Sequence, residues 1–370
     1  MNEKIIFGNI VTEDSKNSIS YLYKFLTRVK KRWTGKSLLK FFIEEFPYRD
    51  INYYKTAIEL ETITVNGKKS TEEFILKETD TIEHIIHYHE PILNDLEIIA
   101  VEEDFMVVNK PSGIACHPTG GYNNYTITKY LENNFFKDKN IFKKNELEKQ
   151  KKELTDLNCI KFDKQRFQKI LEIKKEIKDT FKLGCVNRLD VLTSGVLIIA
   201  FKNWEKYHKL ISTSEVQKKY YAKVNGNFFD EIICDKKIKK DKIHSRVCEE
   251  TGKNAVTKFK KIKYNGKQSL VECIPITGRS HQIRVHLQFL GFPIVNDPIY
   301  GESNEKFVYE KCSHKSDDEV LNFLFAYCDG ENNRSYRNKD YFICLHAFEY
   351  KFLEKKYTSN LPNWVNEFLE

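Results

Sequence analysis

The spacing of apolar positions changes along the chain, and each spacing predicts a different element. Leu38, Leu39, Phe42 and Phe46 recur at helical intervals after Thr34-Gly35, and a second short helix is predicted over residues 53–60. Ile63 and Val65 then alternate up to Asn66-Gly67, a dipeptide suited to a type I′ turn, which predicts a hairpin returning through Phe74 and Leu76. Beyond Leu96 strands predominate, with apolar runs at 98–101, 105–108, 196–201, 220–224, 270–274 and 341–345. Two stretches rich in Lys, Glu, Asn and Asp, 132–182 and 303–340, interrupt that pattern as insertions. The first is expected to end in a charged helix over 167–177, and the second carries a short apolar patch at 321–325. The pattern predicts an extension over 1–23, a small helix-helix-hairpin domain over 24–92, and an α+β domain over 93–370 on a mixed or antiparallel sheet.

Composition adds a class of partner. Of 370 residues 41% are hydrophobic, enough for a sizeable core, while the net charge of +8 alongside 20 Tyr and 26 Phe points to a polyanion. Lys24, Arg28, Lys30, Lys31, Arg32, Lys36 and Lys40 follow one another with no acid before Glu44, and Phe25 and Trp33 interleave with them. Such a run serves either as a phosphate-binding face or as a solvated helix face. The nine cysteines are scattered from Cys116 to Cys344 with no Cys-x-x-Cys pair, the usage of a reducing compartment. Residues 1–16 carry neither a secretory apolar core nor an Arg-rich, acid-poor face, so the expected address is cytoplasmic, with nucleus and mitochondrion left open. No apolar window approaches the roughly 18 residues of a membrane span. His84, His87 and His89 suggest a metal at first sight, but on a strand only His87 and His89 share a face, so no metal and no cofactor is expected.

Four segments concentrate Gly, Pro, His, Arg and Asp beyond what periodicity explains. They are Asn109-Lys110-Pro111-Ser112-Gly113-Ile114-Ala115-Cys116-His117-Pro118-Thr119-Gly120; Asn187-Arg188-Leu189-Asp190-Val191-Leu192-Thr193-Ser194-Gly195; Lys218-Lys219-Tyr220-Tyr221; and Gly278-Arg279-Ser280-His281-Gln282-Ile283-Arg284-Val285-His286-Leu287 with Asn296-Asp297-Pro298-Ile299-Tyr300-Gly301. Taken singly, Asp190 could cap a turn, Arg284 could be a surface cation and Tyr220 could be core. Yet Asp190 runs into an apolar strand and Arg284 lies between Ile283 and Val285, so each needs a buried partner. A bidentate pair between them would satisfy both.

Together the four segments resemble the RluA-type pseudouridine synthases, with their Arg-Leu-Asp and Thr-Ser-Gly, Lys-x-Tyr, Gly-Arg-Ser/Thr-His-Gln-Ile-Arg-Val-His-Leu and Asp-Pro-x-Tyr-Gly. The likeness covers roughly residues 98–301, and Leu345-His346-Ala347 with Tyr350 is similar to the closing strand. The leading region, with Lys31-Arg32-Trp33-Thr34-Gly35-Lys36, Tyr53-Tyr54-Lys55 and His87-Tyr88-His89-Glu90-Pro91, resembles the eukaryotic branch acting on tRNA position 32 and a fold shared with a ribosomal small-subunit protein. The resemblance implies a pseudouridine synthase of structured RNA, expected to be a monomer. Asp190 would be its catalytic carboxylate, Arg284 its ion-pair partner and Tyr220 the aromatic that stacks on the target base. It further implies substrate or RNA contacts at Arg188, Lys110, His117, Lys218, Arg279, His281 and Gln282, and phosphate contacts at Lys30, Lys31, Arg32 and Lys36. The chain departs from the pattern at Asn187, where the family usually has His, and at Val191, where Arg or Lys is common. The rival readings are a non-catalytic RNA-binding or chaperone protein on the same scaffold and an aspartate-dependent nucleoside hydrolase.

Overall fold

The computed structural model describes residues 12–15, 18–47, 49–91, 93, 95–120, 122–133, 183–212, 216–240, 245–301, 318–327 and 342–370. The predicted helix over 167–177, and all of the insertion beyond residue 133, lie outside the described residues. The chain divides into two compact units, Met1–Ile92 with Phe307–Arg337, and Leu93–Lys306 with Asn338–Glu370.

In the first unit, β1 (Thr12–Ser15), β2 (Ser18–Arg28), β3 (Ile63–Val65) and β4 (Thr81–Pro91) form an antiparallel sheet of order β1-β2-β4-β3. Helix α1 (Leu38–Glu45) starts where Ser37 accepts the Lys40 N–H, and α2 (Ile51–Glu59) where Asp50 accepts that of Tyr53. Their apolar faces bury Leu38, Phe41, Phe42, Tyr53, Tyr54 and Ile58 in one core with Trp33. Trp33 is therefore a core residue, with only 3% of its surface exposed, and not an aromatic offered to a ligand.

The structure departs from three expectations. Asn66-Gly67 does make the tight turn, both residues having positive φ, but the return strand is β4, pairing Ile63 with His84 and Val65 with Ile82. Residues 68–80 instead loop away, and Phe74 and Leu76 carbonyls accept N–H groups of Leu38 and Gly35 at the start of α1. The expected boundary at residue 23 falls inside β2, whose 11 residues pair with β4 throughout. The apolar patch of the second insertion forms the helix Glu319–Ala326 and belongs with the first unit. There Phe323 stacks on Tyr53, ring centroids 5.3 Å apart, and with Leu324 closes that core. Sequence order placed this segment in the larger domain; burial of its two aromatic and aliphatic side chains decided otherwise.

The second unit is built on a sheet whose main path runs β10-β13-β14-β9-β15-β8-β6-β5. In chain order its strands are β5 (Glu97–Val101), β6 (Phe105–Lys110), β7 (Gly184–Cys185), β8 (Ser194–Ala200), β9 (Gln217–Asn225) and β10 (Glu231–Cys234). They continue as β11 (Ile238–Lys240), β12 (Ser245–Val247), β13 (Thr257–Tyr264), β14 (Gln268–Pro275), β15 (Leu345–Phe352) and β16 (Lys355–Thr358). β7 pairs with β8 and β16 with β15, while β11 and β12 make a separate two-stranded ribbon. Among the described residues every pairing is antiparallel except that of β15 with β8, so the sheet is mixed, as the apolar runs predict. Val196, Leu197, Ile198, Ile199 and Ala200 of β8 are wholly buried, which is why this strand reads as a continuous apolar run without alternation. β15 begins at Leu345, where the expected 341–345 strand ends.

The parallel pairing of β8 and β15 brings the site to the middle of the sheet. It joins His346 to Ser194 and Ala347 to Gly195, while β9 sets Tyr220 opposite Ala347 on the other edge of β15. Gly195 has φ +113°, and a Cβ there would meet the Ala347 carbonyl oxygen at 2.2 Å. Only glycine lets β8 approach β15 this closely directly after the Asp190 turn.

Candidate active site

The loop that follows β6 holds the Asp190 segment by its backbone. Gly113 N–H donates to the Val191 carbonyl, Ser112 Oγ donates to that of Leu192 at 2.6 Å, and the buried Cys116 thiol meets both N–H and C=O of Leu189. Lys110 is wholly buried, and its ammonium donates to the carbonyls of Pro111, Ile114 and Val191 at 2.7, 2.7 and 2.9 Å. Burial lowers its pKa to about 8, with Cys116 and Asp190 acting against that shift. Expected to touch RNA, Lys110 instead uses its three protons to clamp two loops together, and its charge helps keep Asp190 ionised.

Asn187 accounts for one departure from the family pattern. Its side chain donates to the Val196 carbonyl at 3.1 Å and accepts the Ile198 N–H at 2.7 Å, stitching the segment before Asp190 to β8. It is 6% exposed and acts on the backbone. An amide offers one donor and one acceptor side at once, which this double bond to a strand uses.

Asp190 lies at the end of this segment with its side chain 29% exposed. Oδ2 accepts from Arg284 Nη1 at 2.7 Å, and Oδ1 faces His281 Nε2 at 3.8 Å. Burial pushes its pKa up, but His281, Arg284 and Lys110 together hold it below the usual aspartate range. The group is an ionised carboxylate with one oxygen anchored by Arg284 and the other facing His281.

Arg284 is on the helix Gln282–Phe289, with a side chain only 4% exposed. The expected bidentate partner was Asp190; the fork is taken by Asp297. Nε and Nη2 of Arg284 donate to Asp297 Oδ2 and Oδ1 at 2.6 and 2.8 Å, leaving Nη1 for Asp190. The physical reason is burial: the Asp297 side chain is fully buried and must be saturated, whereas Asp190 keeps contact with solvent. Sequence reasoning missed Asp297 as a functional position, although its place in Asp297-Pro298-Ile299-Tyr300-Gly301 was visible.

Tyr220 is 8% exposed, and its hydroxyl meets that of Tyr350 at 2.5 Å. Burial, Tyr350 and then Asp190 raise its pKa, so it stays a neutral phenol beside the carboxylate. Lys218, two residues earlier on β9, is half-buried, which lowers its pKa, and its Nζ lies 3.9 Å from where a Cβ on Gly278 would be. Arg188 is exposed, and together with burial it lowers the pKa of the half-buried His117. Arg279 is exposed too, its Nε donating to the Asn254 carbonyl at 2.9 Å.

Gln282 was expected at the substrate but is a buried clamp. Its oxygen accepts from Thr277 Oγ1 and Arg279 N–H, and its nitrogen donates to the Val256 carbonyl and Thr257 Oγ1, all within 3.0 Å. Every hydrogen-bonding position of the amide is used, so none is left for a ligand. His281, directly before it, has φ 56° and ψ 22°, a conformation that non-glycine residues rarely adopt, and it turns the imidazole toward Asp190.

The basic run of the first unit is partly matched by acids. Arg32 pairs with Glu45 at 2.9 Å, Lys36 with Glu44 at 2.6 Å, and Lys30 lies over the Trp33 ring at 4.9 Å. Lys31 is exposed. His84 turns into the core against the Tyr53 hydroxyl, while the rings of His87 and His89 meet edge to face at 4.7 Å. Among the described residues, no group of three or more His, Cys, Asp or Glu is placed to hold a metal, and no helix is long and apolar enough to cross a membrane.

A family model described as RNA pseudouridylate synthase matches residues 104–289, which include Asp190, Tyr220 and Arg284. The chain is similar to the protein named tRNA pseudouridine(32) synthase, mitochondrial, of Saccharomyces cerevisiae, 36% identical over 76% of this chain and 54% of that protein. It is similar to RNA pseudouridine synthase 7 of Arabidopsis thaliana, 30% identical over 94% of this chain and 85% of that one. To pseudouridylate synthase RPUSD2 of Mus musculus it is 34% identical, over 83% of this chain and 49% of that protein. The chain thus spans about half the length of the yeast and mouse relatives and most of the plant one.

Proposed function

The chain belongs to the RNA pseudouridylate synthase family, and from that premise we propose that it isomerises uridine to pseudouridine in structured RNA, with Asp190 as the catalytic carboxylate. The observation that carries this is the geometry around Asp190: an ionised, part-exposed carboxylate, one oxygen fixed by a buried guanidinium, with a neutral tyrosine beside it. The isomerisation breaks the N1–C1′ bond of uridine and forms C5–C1′, with C5 losing a proton and N1 gaining one. No oxidant, reductant or co-reactant is needed. Asp190 meets the sugar or base with its Oδ1 side. Arg284 keeps the carboxylate ionised and oriented, and the exposed part of Tyr220 supplies stacking for a base turned out of its helix, about 1–3 kcal/mol. Arg188, His117, Lys218 and Arg279 contribute contacts to the nucleotide and its flanking phosphates, all four being at least partly accessible.

Transfer RNA is the substrate class we favour, and position 32 the site, because the yeast relative carries that name. The same relative is named as mitochondrial, which favours that organelle over the cytoplasm expected from composition. The test is direct: tRNA carrying labelled uridine is incubated with the chain and with Asp190→Asn, and pseudouridine is quantified and mapped. Wild-type formation with a loss exceeding about a hundredfold in the variant is expected, with RNA affinity kept within about tenfold. Residual turnover above roughly one hundredth would remove Asp190 from the essential role. Release of free uracil would support a nucleoside hydrolase instead, and binding without turnover the non-catalytic reading.

A further inference from the structure

Two groups face the two oxygens of Asp190, and both are held by one short loop. Asp297 takes the fork of Arg284, and its Oδ1 also accepts the N–H groups of Ile299 and Tyr300 at 2.9 and 3.0 Å. The Tyr300 ring lies under the guanidinium of Arg284, 5.0 Å from centroid to Cζ. Its hydroxyl meets His281 Nδ1 at 2.9 Å and accepts the Ser245 N–H at 3.0 Å. The loop is itself tightly built: Gly301 N–H returns to the Asp297 carbonyl at 2.8 Å, where a Cβ on Gly301 would meet that oxygen at 2.2 Å.

The Tyr300 hydroxyl, which accepts the Ser245 N–H, shares a hydrogen bond with His281 Nδ1 and so fixes the plane of the imidazole from one side. Burial lowers the His281 pKa, and the other ring nitrogen, Nε2, faces Asp190 Oδ1 at 3.8 Å. Arg284 and His281 are thus two arms around one carboxylate, each set by the 297–300 loop.

We propose that Asp297 and Tyr300 are positioning residues for the catalytic carboxylate, Asp297 aiming the Arg284 guanidinium at Oδ2 and Tyr300 setting the His281 imidazole toward Oδ1. This rests on the assignment of Asp190 above. It also explains why a buried site spends two carboxylates on one guanidinium. A single arginine free to meet Asp190 with its whole fork could do so in several orientations; pinned by Asp297 it presents one N–H in one direction.

The experiment compares wild type, Asp297→Asn and Tyr300→Phe in single turnover at saturating tRNA across pH, alongside RNA affinity. For Asp297→Asn the expected result is a rate loss of at least tenfold, affinity within twofold, and an acid limb displaced to higher pH as Arg284 is released from Asp190. A limb that stays, or moves down because Arg284 now serves Asp190 alone, overturns the role of Asp297. Titration of 13C-labelled aspartate carboxyls, with Asp190→Asn to identify the resonance, reads the same upward shift without turnover. It separates failure of this inference from failure of the catalytic assignment. Should Asp297→Asn not fold, Tyr300→Phe still decides: a severalfold rate loss is expected, to which His281→Gln adds less than twofold. Losses that multiply would mean that Tyr300 does not act through His281.

Discussion

Both units of the chain pair cations with acids on the surface, but among the described residues only the second also buries cations. In the first, Lys24, Arg32, Lys36 and Lys55 stand on the surface, each within reach of a glutamate on a neighbouring element. In the second, Arg284 and Lys110 are buried, and every proton they donate toward the interior has a fixed acceptor. Exposed pairs are worth at most about 1 kcal/mol and exchange readily, so a phosphate can replace a glutamate. Buried cations cannot exchange partners, and their value is in geometry. The comparison separates a surface suited to affinity from a cluster suited to chemistry.

Breaking the buried cluster should have the largest effect. Arg284→Met takes from Asp190 its ion-pair partner and leaves the fully buried Asp297 without a counter-charge. A stability loss of roughly 3–5 kcal/mol is expected in denaturant unfolding, together with loss of turnover. Adding Asp297→Asn should recover more stability than adding Asp190→Asn, because Asp190 can still reach water. Equal recovery by the two would show that the exposed and buried carboxylates are equivalent.

Each unit also holds a histidine whose pKa desolvation depresses, which allows the comparison to be made by pH. His84, against Tyr53 in the first unit, is held down to about 3 by burial and then Arg49; His346, between Ser194 and Ser359 in the second, to about 4 by burial. Both folded values lie below the unfolded value near 6.5, so the unfolded chain binds more protons in between. Their stabilisation is complete above about pH 6.5 and is lost progressively as pH falls toward 4 and 3, at up to about 1.4 kcal/mol per pH unit for each. Trp33 reports on the first unit and Trp364 on the second, so single-tryptophan variants can follow each. His84→Gln should flatten the pH dependence seen by Trp33 alone; an unchanged slope there would assign the effect to other groups.

The smallest effect is expected on the surface. Neutralising Lys30, Lys31, Arg32 and Lys36 together should weaken tRNA binding and reduce its salt slope by up to about 0.9 for each duplex phosphate that is no longer neutralised, leaving the saturated single-turnover rate nearly unchanged. Glu44→Gln with Glu45→Gln should act in reverse, tightening binding by freeing Lys36 and Arg32. An unaltered salt slope in the quadruple variant would reduce the basic run to a solvated face.

The chain by itself determined most of the elements and the need of Asp190 for a cationic partner. Helical spacing announced α1 and α2, unbroken apolar runs announced the central strands, and an aspartate running into such a strand signalled a partner in Arg284. Local order could not say which donors go to which acceptors. That Lys110 and Gln282 are clamps, that Trp33 is core, and that Asp297 takes the fork expected for Asp190 depend on contacts between segments far apart in sequence. The same holds for the helix Glu319–Ala326, whose apolar face joined the core of the first unit across more than 200 residues of intervening chain. Periodicity records which side of an element avoids water; which polar group meets which is decided by burial, where every donor left unmatched costs free energy and only tertiary packing determines what is within reach.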